Sequence, residues 1–217
     1  MERKHTVTNI LIAINVLVFV IMSINGGSEN TEVLVKYGAM NKILVLNGDW
    51  WRFFTPIFIH IGLGHIIMNC YSLYILGGIF ERIYGAKRFL IIYLLSGIMG
   101  NIFSFAFGSV YTISAGASTS LYGMFGLALS MYVFYKNYGN LRAFGRSFFG
   151  IIALNIIYSM MNPSIGMLGH LGGLIGGFLL GGMIEIRNIR LNKNTKIIAS
   201  IVFVVLAAYL LRYGYSI

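Results

Sequence analysis

Charged side chains are scarce in this sequence, and their scarcity decides the class of protein. Only 10% of the 217 residues are Asp, Glu, Lys or Arg, whereas 58% are hydrophobic. Soluble globular domains carry about 25% charged residues, so a water-exposed globular surface is excluded. The charge-free stretches 53–80, 89–135 and 147–184 are each long enough to cross a ~30 Å hydrocarbon core at least once, at roughly 20 residues per helix. The chain is predicted to be a polytopic helical membrane protein.

Cysteine and proline are nearly absent as well. The single cysteine, Cys70, excludes an internal disulfide, and inside an apolar helix it is predicted to pack rather than react. The two prolines, Pro56 and Pro163, stand at the ends of predicted helices, and no internal repeat is found. Transporters commonly show repeats with Gly- or Pro-broken helices in matched halves, so a transporter or channel is a less favoured alternative.

Seven apolar segments are predicted to form an all-α transmembrane bundle, the fifth and seventh being the shortest. Their ranges are 7–24, 56–80, 89–107, 115–135, 147–161, 167–184 and 197–211. Arg3 and Lys4 precede the first segment as in a signal peptide, but no small-x-small cleavage site follows Ile24, which favours an uncleaved helix. We interpret 1–217 as a single domain, with a six-helix core over about 7–186 and an extra C-terminal helix over about 196–213.

The distribution of Lys and Arg predicts the orientation. With the N-terminus inside, the inner segments hold twelve of these residues and the outer segments only four. Cytoplasmic loops are enriched in Lys and Arg, so a cell-membrane protein with a cytoplasmic N-terminus is predicted. This topology accounts for the net charge of +10. The basic patch with aromatic platforms that a nucleic-acid partner would need is not found.

Four polar side chains are predicted at similar depth in the outer half of the bundle: His65, Asn69, Ser118 and His170. The second, fourth and sixth helices run in the same direction, and these residues fall near their outer ends. His65 is predicted a few turns into its helix, and Asn69 shares its face because the two are four residues apart. Ionisable groups at membrane depth are costly and commonly functional. We therefore expect one polar site below the outer surface.

The residue types at this depth favour a serine–histidine dyad. The acidic residues, Asp49 among them, all lie elsewhere, so a Ser-His-Asp triad is not expected. Two histidines leave weak zinc binding open, although catalytic zinc normally takes three protein ligands. A histidine-activated serine needs only two groups, here Ser118 and His170. Ser118 lies in the first turn of its helix, where free N–H groups favour an anion, and His65 and Asn69 are predicted to complete an oxyanion hole.

These residues fall within motifs, in order and spacing, that resemble those of rhomboid proteases from about Trp50 to Gly181. The matching positions are Trp51-Arg52, His65 with Asn69, Glu81 with Gly85, Gly116-Ala117-Ser118, Tyr122, and Gly169-His170 with Gly173 and Gly177. One position departs from the family pattern. Thr119 stands where the family usually has Gly after the nucleophile, and its larger side chain is expected to perturb the oxyanion geometry.

The resemblance implies an intramembrane serine endopeptidase that cuts transmembrane segments of single-pass proteins without a cofactor or metal. It implies a nucleophile at Ser118, a base at His170, oxyanion donors at His65 and Asn69, and active-site support from Gly116 and Tyr122. Structural roles follow for Trp51, Arg52, Glu81, Gly173 and Gly177. The glycines are expected to let the sixth helix approach the fourth, and the site to open to the outer face. The extra helix resembles the six-plus-one arrangement of some members.

Two alternatives remain open from the sequence. A catalytically inactive relative would bind transmembrane helices without cutting them, although retention of both Ser118 and His170 argues against it. In the other, the polar residues have only packing roles: Ser118 as a small residue for close helix contact, and His65 and Asn69 as interhelical hydrogen-bond formers. His60, one turn before the second helix, is interpreted as a structural hydrogen-bonding residue.

Overall fold

The computed structural model describes residues 5–162 and 166–216, which form ten α-helices. Their bounds are α1 Thr6–Ile24, α2 Thr31–Tyr37, α3 Lys42–Leu46, α4 Leu63–Tyr84, α5 Ala86–Phe107, α6 Ser118–Phe134, α7 Gly139–Ser147, α8 Phe149–Met161, α9 Met167–Met183 and α10 Lys193–Ser216. Short 3-10 turns cover Trp50–Phe53 and Thr55–Phe58. Strand pairing in these ranges is limited to one isolated bridge, Met40 with Ser114. The all-α fold is confirmed.

Five helical segments of the described ranges are long and apolar enough to span a membrane. They are α1, α4, α5, the continuous 139–161 segment of α7 and α8, and α10. The apolar α9 has 17 residues, as does the central helix α6. At 1.5 Å per residue each of these is about 25 Å long, close to the hydrocarbon thickness. A multi-pass helical membrane protein is therefore confirmed.

Several predicted boundaries were wrong, and each error has a local cause. The second span begins at Leu63 rather than 56, because Pro56 lies in a 3-10 turn and Gly62 has a φ of 78°. His65 is therefore in the first turn of α4, not a few turns in. The fifth helix begins at Gly139 and continues through charged residues to Met161. The predicted short last helix is 24 residues long, since its ends carry Lys and Arg.

A single residue, Phe148, separates α7 from α8. Ser147 Oγ donates to the Phe144 carbonyl at 2.7 Å, within its own helix turn. Gly145 of α7 lies against the α6 backbone, where a Cβ would collide with the Ala128 carbonyl oxygen. In α8 the buried residues are Ile152 and Ser159. The α7 half is thus fixed to the bundle, whereas α8 contacts it through few side chains.

Backbone contact between α6 and α9 forms the centre of the bundle. A Cβ added to Gly173 would collide with the Thr119 carbonyl oxygen, and one added to Gly177 would collide with the Gly123 carbonyl oxygen. Farther along, Gly181 lies against the Ser130 hydroxyl. Small residues at such positions allow helices in membranes to approach closely. The residues that begin α6 and α9 are consequently held at short distance.

The segment that connects α1 to α4 is anchored by a buried arginine. Arg52 donates to the carbonyls of Val35 and Ala39 at 3.0 and 2.8 Å and pairs with Asp49 at 2.8 Å. Burying an arginine is costly unless its donors are satisfied, and these partners fold the segment back on itself. Trp51, unlike the buried Arg52, is 43% exposed. An aromatic ring in that position suits a membrane interface.

Glu81 caps the first helix from a distant part of the chain. Its carboxylate accepts from the backbone N–H groups of Val7 and Thr8 at 3.0 and 2.8 Å, and from the Thr8 hydroxyl at 2.8 Å. The first N–H groups of a helix lack intrahelical partners, and a carboxylate also complements the helix dipole. The contact therefore joins the start of α1 to the end of α4.

We expect Glu81→Ala to lower the free energy of unfolding by about 2 kcal/mol, because the α1 donors would lose charge-assisted hydrogen bonds. Thermal unfolding in detergent should show a fall in Tm of roughly 5 °C. Glu32→Ala, which removes an exposed carboxylate from the first turn of α2, is the matched control and should change Tm little. Equal shifts in the two variants would contradict the capping role.

The last helix packs against α9 and α5. Gly214 lies against the Phe105 ring, and that ring also contacts Tyr215 at a centroid distance of 5.0 Å. At the other end, Lys196 bonds the Glu185 carboxylate at 3.2 Å, which lowers the pKa of Glu185, and the Leu191 N–H adds to the effect. The C-terminal end of α10 is thus held by α5, and its N-terminal end by Glu185, which lies just after α9.

Candidate active site

The turn that precedes Ser118 is held by two hydrogen bonds from the chain before α4. Gly116 donates its N–H to the Pro56 carbonyl at 2.9 Å, and Ala117 donates to His60 Nε2 at 3.3 Å. His60 is fully buried, which suits the structural role expected of it. Gly116 has a φ of 135°, a conformation that favours glycine. Ser118 follows as the first residue of α6.

His170 lies in the first turn of α9, facing Ser118. Its Nε2 is 2.9 Å from Ser118 Oγ, within hydrogen-bonding distance. The imidazole is stacked on the Tyr122 ring, with centroids 3.9 Å apart and planes 10° apart. His170 is 8% exposed. The structure therefore brings together the two side chains that the sequence analysis paired.

A residue that sequence reasoning missed completes this arrangement. Ser159 of α8 places its Oγ 3.2 Å from His170 Nδ1 and 2.9 Å from the Tyr122 hydroxyl. The same hydroxyl lies 3.1 Å from the Asn155 carbonyl oxygen, to which it donates. Asn155 and Ser159 are four residues apart in an apolar helix, the same spacing as His65 and Asn69. That spacing was the available signal.

His65 lies beside the Ser118 turn. A Cβ at Gly116 would be 2.8 Å from His65 Nε2 and 3.5 Å from Ser118 Oγ, so the glycine leaves open the space between imidazole and hydroxyl. His65 Nδ1 faces the Ile61 N–H at 3.4 Å. With Nδ1 as the acceptor, Nε2 carries the proton and is the nitrogen turned toward this space.

Asn69 forms a hydrogen bond within its own helix. Its amide donates to the His65 carbonyl of its own helix at 2.9 Å, and its buried Oδ1 has no hydrogen-bond partner. An amide nitrogen has two hydrogens, so one donor is left after this bond. Asn69 therefore lies at the wall of the site with one amide hydrogen not used in this bond.

Thr119 is accommodated by glycines on two neighbouring helices. A Cβ at Gly100 of α5 would be 2.7 Å from Thr119 Cβ, and a Cβ at Gly169 of α9 would be 3.1 Å from Thr119 Cγ2. The methyl group thus fills a gap between α5 and α9. The space between His65 and Ser118 is bordered by Gly116.

A cavity of about 500 Å³ lies in front of Ser118 and His170. Ser118, His170, His65 and Asn69 line it, and its sides are formed by α4 and α8, with residues such as Met68, Leu76 and Tyr158. No charged side chain lies among its lining residues in the part of the chain that the structure describes. The cavity suits a neutral, partly apolar chain segment.

Comparison with known proteins was consistent with this geometry. The Rhomboid domain family matches residues 47–187. Rhomboid protease GluP of Bacillus subtilis (strain 168) is 40% identical over 212 residues, covering 97% of this chain and 41% of that protein. YdcA of the same bacterium, a provisionally named rhomboid protease, is 38% identical over 136 residues, covering 63% of this chain and 68% of that protein.

A plant relative extends the comparison. RHOMBOID-like protein 1 of Arabidopsis thaliana is 35% identical over 156 residues, or 71% of this chain and 40% of that protein. The chain thus spans about two fifths of the length of GluP and of the Arabidopsis protein. The family match covers every predicted site residue, from Trp51 to Gly177. With its helical, multi-pass fold, the chain belongs to the rhomboid family of intramembrane proteases.

Proposed function

We propose that this protein is an intramembrane serine endopeptidase in which Ser118 is the nucleophile and His170 the general base. The observation that carries the proposal is the 2.9 Å contact between Ser118 Oγ and His170 Nε2 at the wall of a cavity of about 500 Å³. A nucleophile in hydrogen-bonding contact with an oriented base is the arrangement that acyl transfer requires. A helix-binding protein without activity would not need that contact.

In the proposed mechanism His170 Nε2 takes the Ser118 proton as Oγ attacks the scissile carbonyl carbon. The carbonyl oxygen becomes an oxyanion, stabilised by His65 Nε2–H, the second Asn69 N–H and a backbone N–H at the start of α6. The imidazolium then gives its proton to the leaving amine, and the C–N bond breaks. Water, deprotonated by His170, attacks the acyl-enzyme and regenerates the Ser118 hydroxyl.

The proposed substrates are single-pass membrane proteins. A peptide in a continuous helix has its carbonyls bonded within the helix, so the cut segment must unwind in the cavity before attack. Backbone at membrane depth is tolerated where protein or water surrounds it. The uncharged lining between α4 and α8 favours neutral residues beside the scissile bond.

The proposed orientation has a cytoplasmic N-terminus and a site that opens to the outer face of the cell membrane. It rests on the Lys and Arg distribution, of which Arg3 and Lys4 lie outside the described residues. The termini of α4, α6 and α9 nearest the dyad then face outward. Protease accessibility of a tag placed after residue 216 in sealed vesicles would test this topology.

The direct test is reconstitution. Purified protein in liposomes with a panel of single-pass substrates should release two fragments, and a fluorophosphonate should inactivate it by modifying Ser118, located by mass spectrometry. Modification elsewhere, with cleavage retained, would reject Ser118. Absence of both cleavage and labelling would favour the inactive, helix-binding alternative.

A further inference from the structure

Hydrogen bonds connect the His170 imidazole through two hydroxyl groups to a backbone carbonyl. His170 Nδ1 contacts Ser159 Oγ at 3.2 Å, Ser159 Oγ contacts the Tyr122 hydroxyl at 2.9 Å, and that hydroxyl contacts the Asn155 carbonyl oxygen at 3.1 Å. Each hydroxyl has one hydrogen to donate, whereas a carbonyl oxygen only accepts. The Asn155 carbonyl, as the final acceptor, therefore determines the direction of every hydrogen bond in this series.

The directions follow in three steps. Because the Asn155 carbonyl accepts, the Tyr122 hydroxyl donates to it, and the tyrosine oxygen is left to accept from Ser159. Because Ser159 donates its hydrogen to Tyr122, its own oxygen accepts from His170 Nδ1–H. His170 then carries its proton on Nδ1, and its Nε2 has a free lone pair facing Ser118 Oγ at 2.9 Å. This is the tautomer that a general base needs.

The position of Ser159 supports a specific role for its hydroxyl. Ser159 is 4% exposed, whereas most other residues of α8 are exposed or half-buried. The hydroxyl lies between a ring nitrogen and a phenol, so its two partners are both at the dyad. The ring stacking of Tyr122 fixes the plane of the imidazole but leaves its tautomer undetermined, because stacking does not distinguish Nδ1 from Nε2.

We propose that Ser159 is a positioning residue for His170. Its hydroxyl oxygen accepts a hydrogen bond from His170 Nδ1–H. Because the Tyr122–Asn155 bond fixes the direction in which Ser159 donates, it also fixes the tautomer of the His170 imidazole. The group thus does with a neutral oxygen what a buried carboxylate does in a Ser-His-Asp triad. The proposal rests on the proposed function, since it assigns a role within the same dyad.

The test compares four proteins in liposomes: wild type, Ser159→Ala, Tyr122→Phe and the double variant. Labelling of Ser118 by a fluorophosphonate reports the reactivity of the nucleophile without substrate entry. We expect Ser159→Ala to slow labelling and kcat by roughly 10- to 100-fold, since a buried donor loses its partner, with KM unchanged. Ser159→Thr, which keeps the hydroxyl, should restore labelling to within about threefold of wild type.

The phenol supplies the second arm. In Tyr122→Phe the ring stack is retained, but the Ser159 hydroxyl loses the acceptor that fixes its direction, so the Nδ1–H tautomer of His170 is no longer enforced. Labelling should slow by a similar factor, and the double variant should be no slower than the slower single variant, because the residues act as one unit. If Ser159→Ala does not fold, the labelling rate of Tyr122→Phe tests the proposal by itself.

The tautomer itself is measurable. In ¹⁵N-histidine-labelled protein the His170 signals, identified by their loss in His170→Gln, should show a protonated Nδ1 in wild type and a mixture in Ser159→Ala. The matched control is Ser147→Ala, whose hydroxyl bonds only within its own helix turn at 2.7 Å. It should leave both the labelling rate and these signals at wild-type values.

Three outcomes would overturn the role of Ser159. They are an unchanged labelling rate in Ser159→Ala, a loss of labelling rate in the double variant equal to the product of the two single losses, or an unchanged Nδ1 signal in Ser159→Ala. Each of these presupposes a wild-type protein that is labelled at Ser118. A wild type without labelling or cleavage would instead refute the proposed function.

Discussion

Cleavage of a single-pass substrate should fall by about 10⁴-fold or more when Ser118 is replaced with Ala. In the proposed mechanism Ser118 Oγ forms the acyl bond, and this oxygen lies 2.9 Å from His170 Nε2. Water that reaches the cavity would still find the oxyanion donors, so only a small residual rate is expected. Fragment release from liposomes, followed over hours, measures the loss.

Two further variants make this result specific. Ser114→Ala removes a hydroxyl from the same cavity wall, but Ser114 is held there by its backbone, which pairs with Met40, so cleavage should stay within about threefold of wild type. His170→Ala should be nearly as inactive as Ser118→Ala, and the double variant no worse, because nucleophile and base act together. Losses that multiply in the double variant would contradict a shared step.

The second large effect is expected from a single methyl group at Gly177. Gly177→Ala places a Cβ against the Gly123 carbonyl oxygen of α6, and backbone on both sides leaves no rotamer that relieves the collision. The helices must separate by roughly 1 Å, which costs about 3 kcal/mol in a packed core. The same separation would lengthen the Ser118–His170 contact beyond hydrogen-bonding distance, so we expect both a Tm lowered by about 10 °C and loss of cleavage.

Gly150→Ala is the matched control, because a Cβ at Gly150 in α8 would meet nothing within 4 Å. Alanine is also the better helix former, so Tm should be unchanged or slightly higher. If Gly177→Ala kept wild-type stability and activity, the close approach of α6 and α9 would not control the site. Equal losses in both variants would indicate a general intolerance of alanine.

The convergence of the site was predictable because membrane helices have few orientations. Once α4, α6 and α9 are assigned the same direction, His65, Ser118 and His170 must lie near one surface, and the structure places them together. Element starts were harder, since Pro56 and Gly62 lie in an apolar run that hydropathy alone reads as helix. The N-terminal bound of α4 was consequently set several residues too early.

Other features depended on partners that are remote in sequence. The donors to Glu81 lie more than 70 residues away on α1, and the sequence around Glu81 contains no sign of them. Ser159 was missed because a serine in an apolar helix is commonly a packing residue, and its partners Tyr122 and His170 lie on other helices. The Asn69 amide was placed correctly on the helix face, but its bond to the His65 carbonyl depends on rotamer, which spacing does not determine.

The contact of α6 with α9 also bears on how the chain can change over time. At Gly173 and Gly177 backbone meets backbone, so the distance between the two helices there does not depend on the size of any side chain. Lipid-facing positions on α1, α8 and α10 are therefore free to exchange one apolar residue for another without moving the dyad. At Gly173 and Gly177 the opposite holds, because no larger residue can be compensated by a change on the facing helix. Divergence in such a protein should accumulate on its outside and spare a narrow line of glycines.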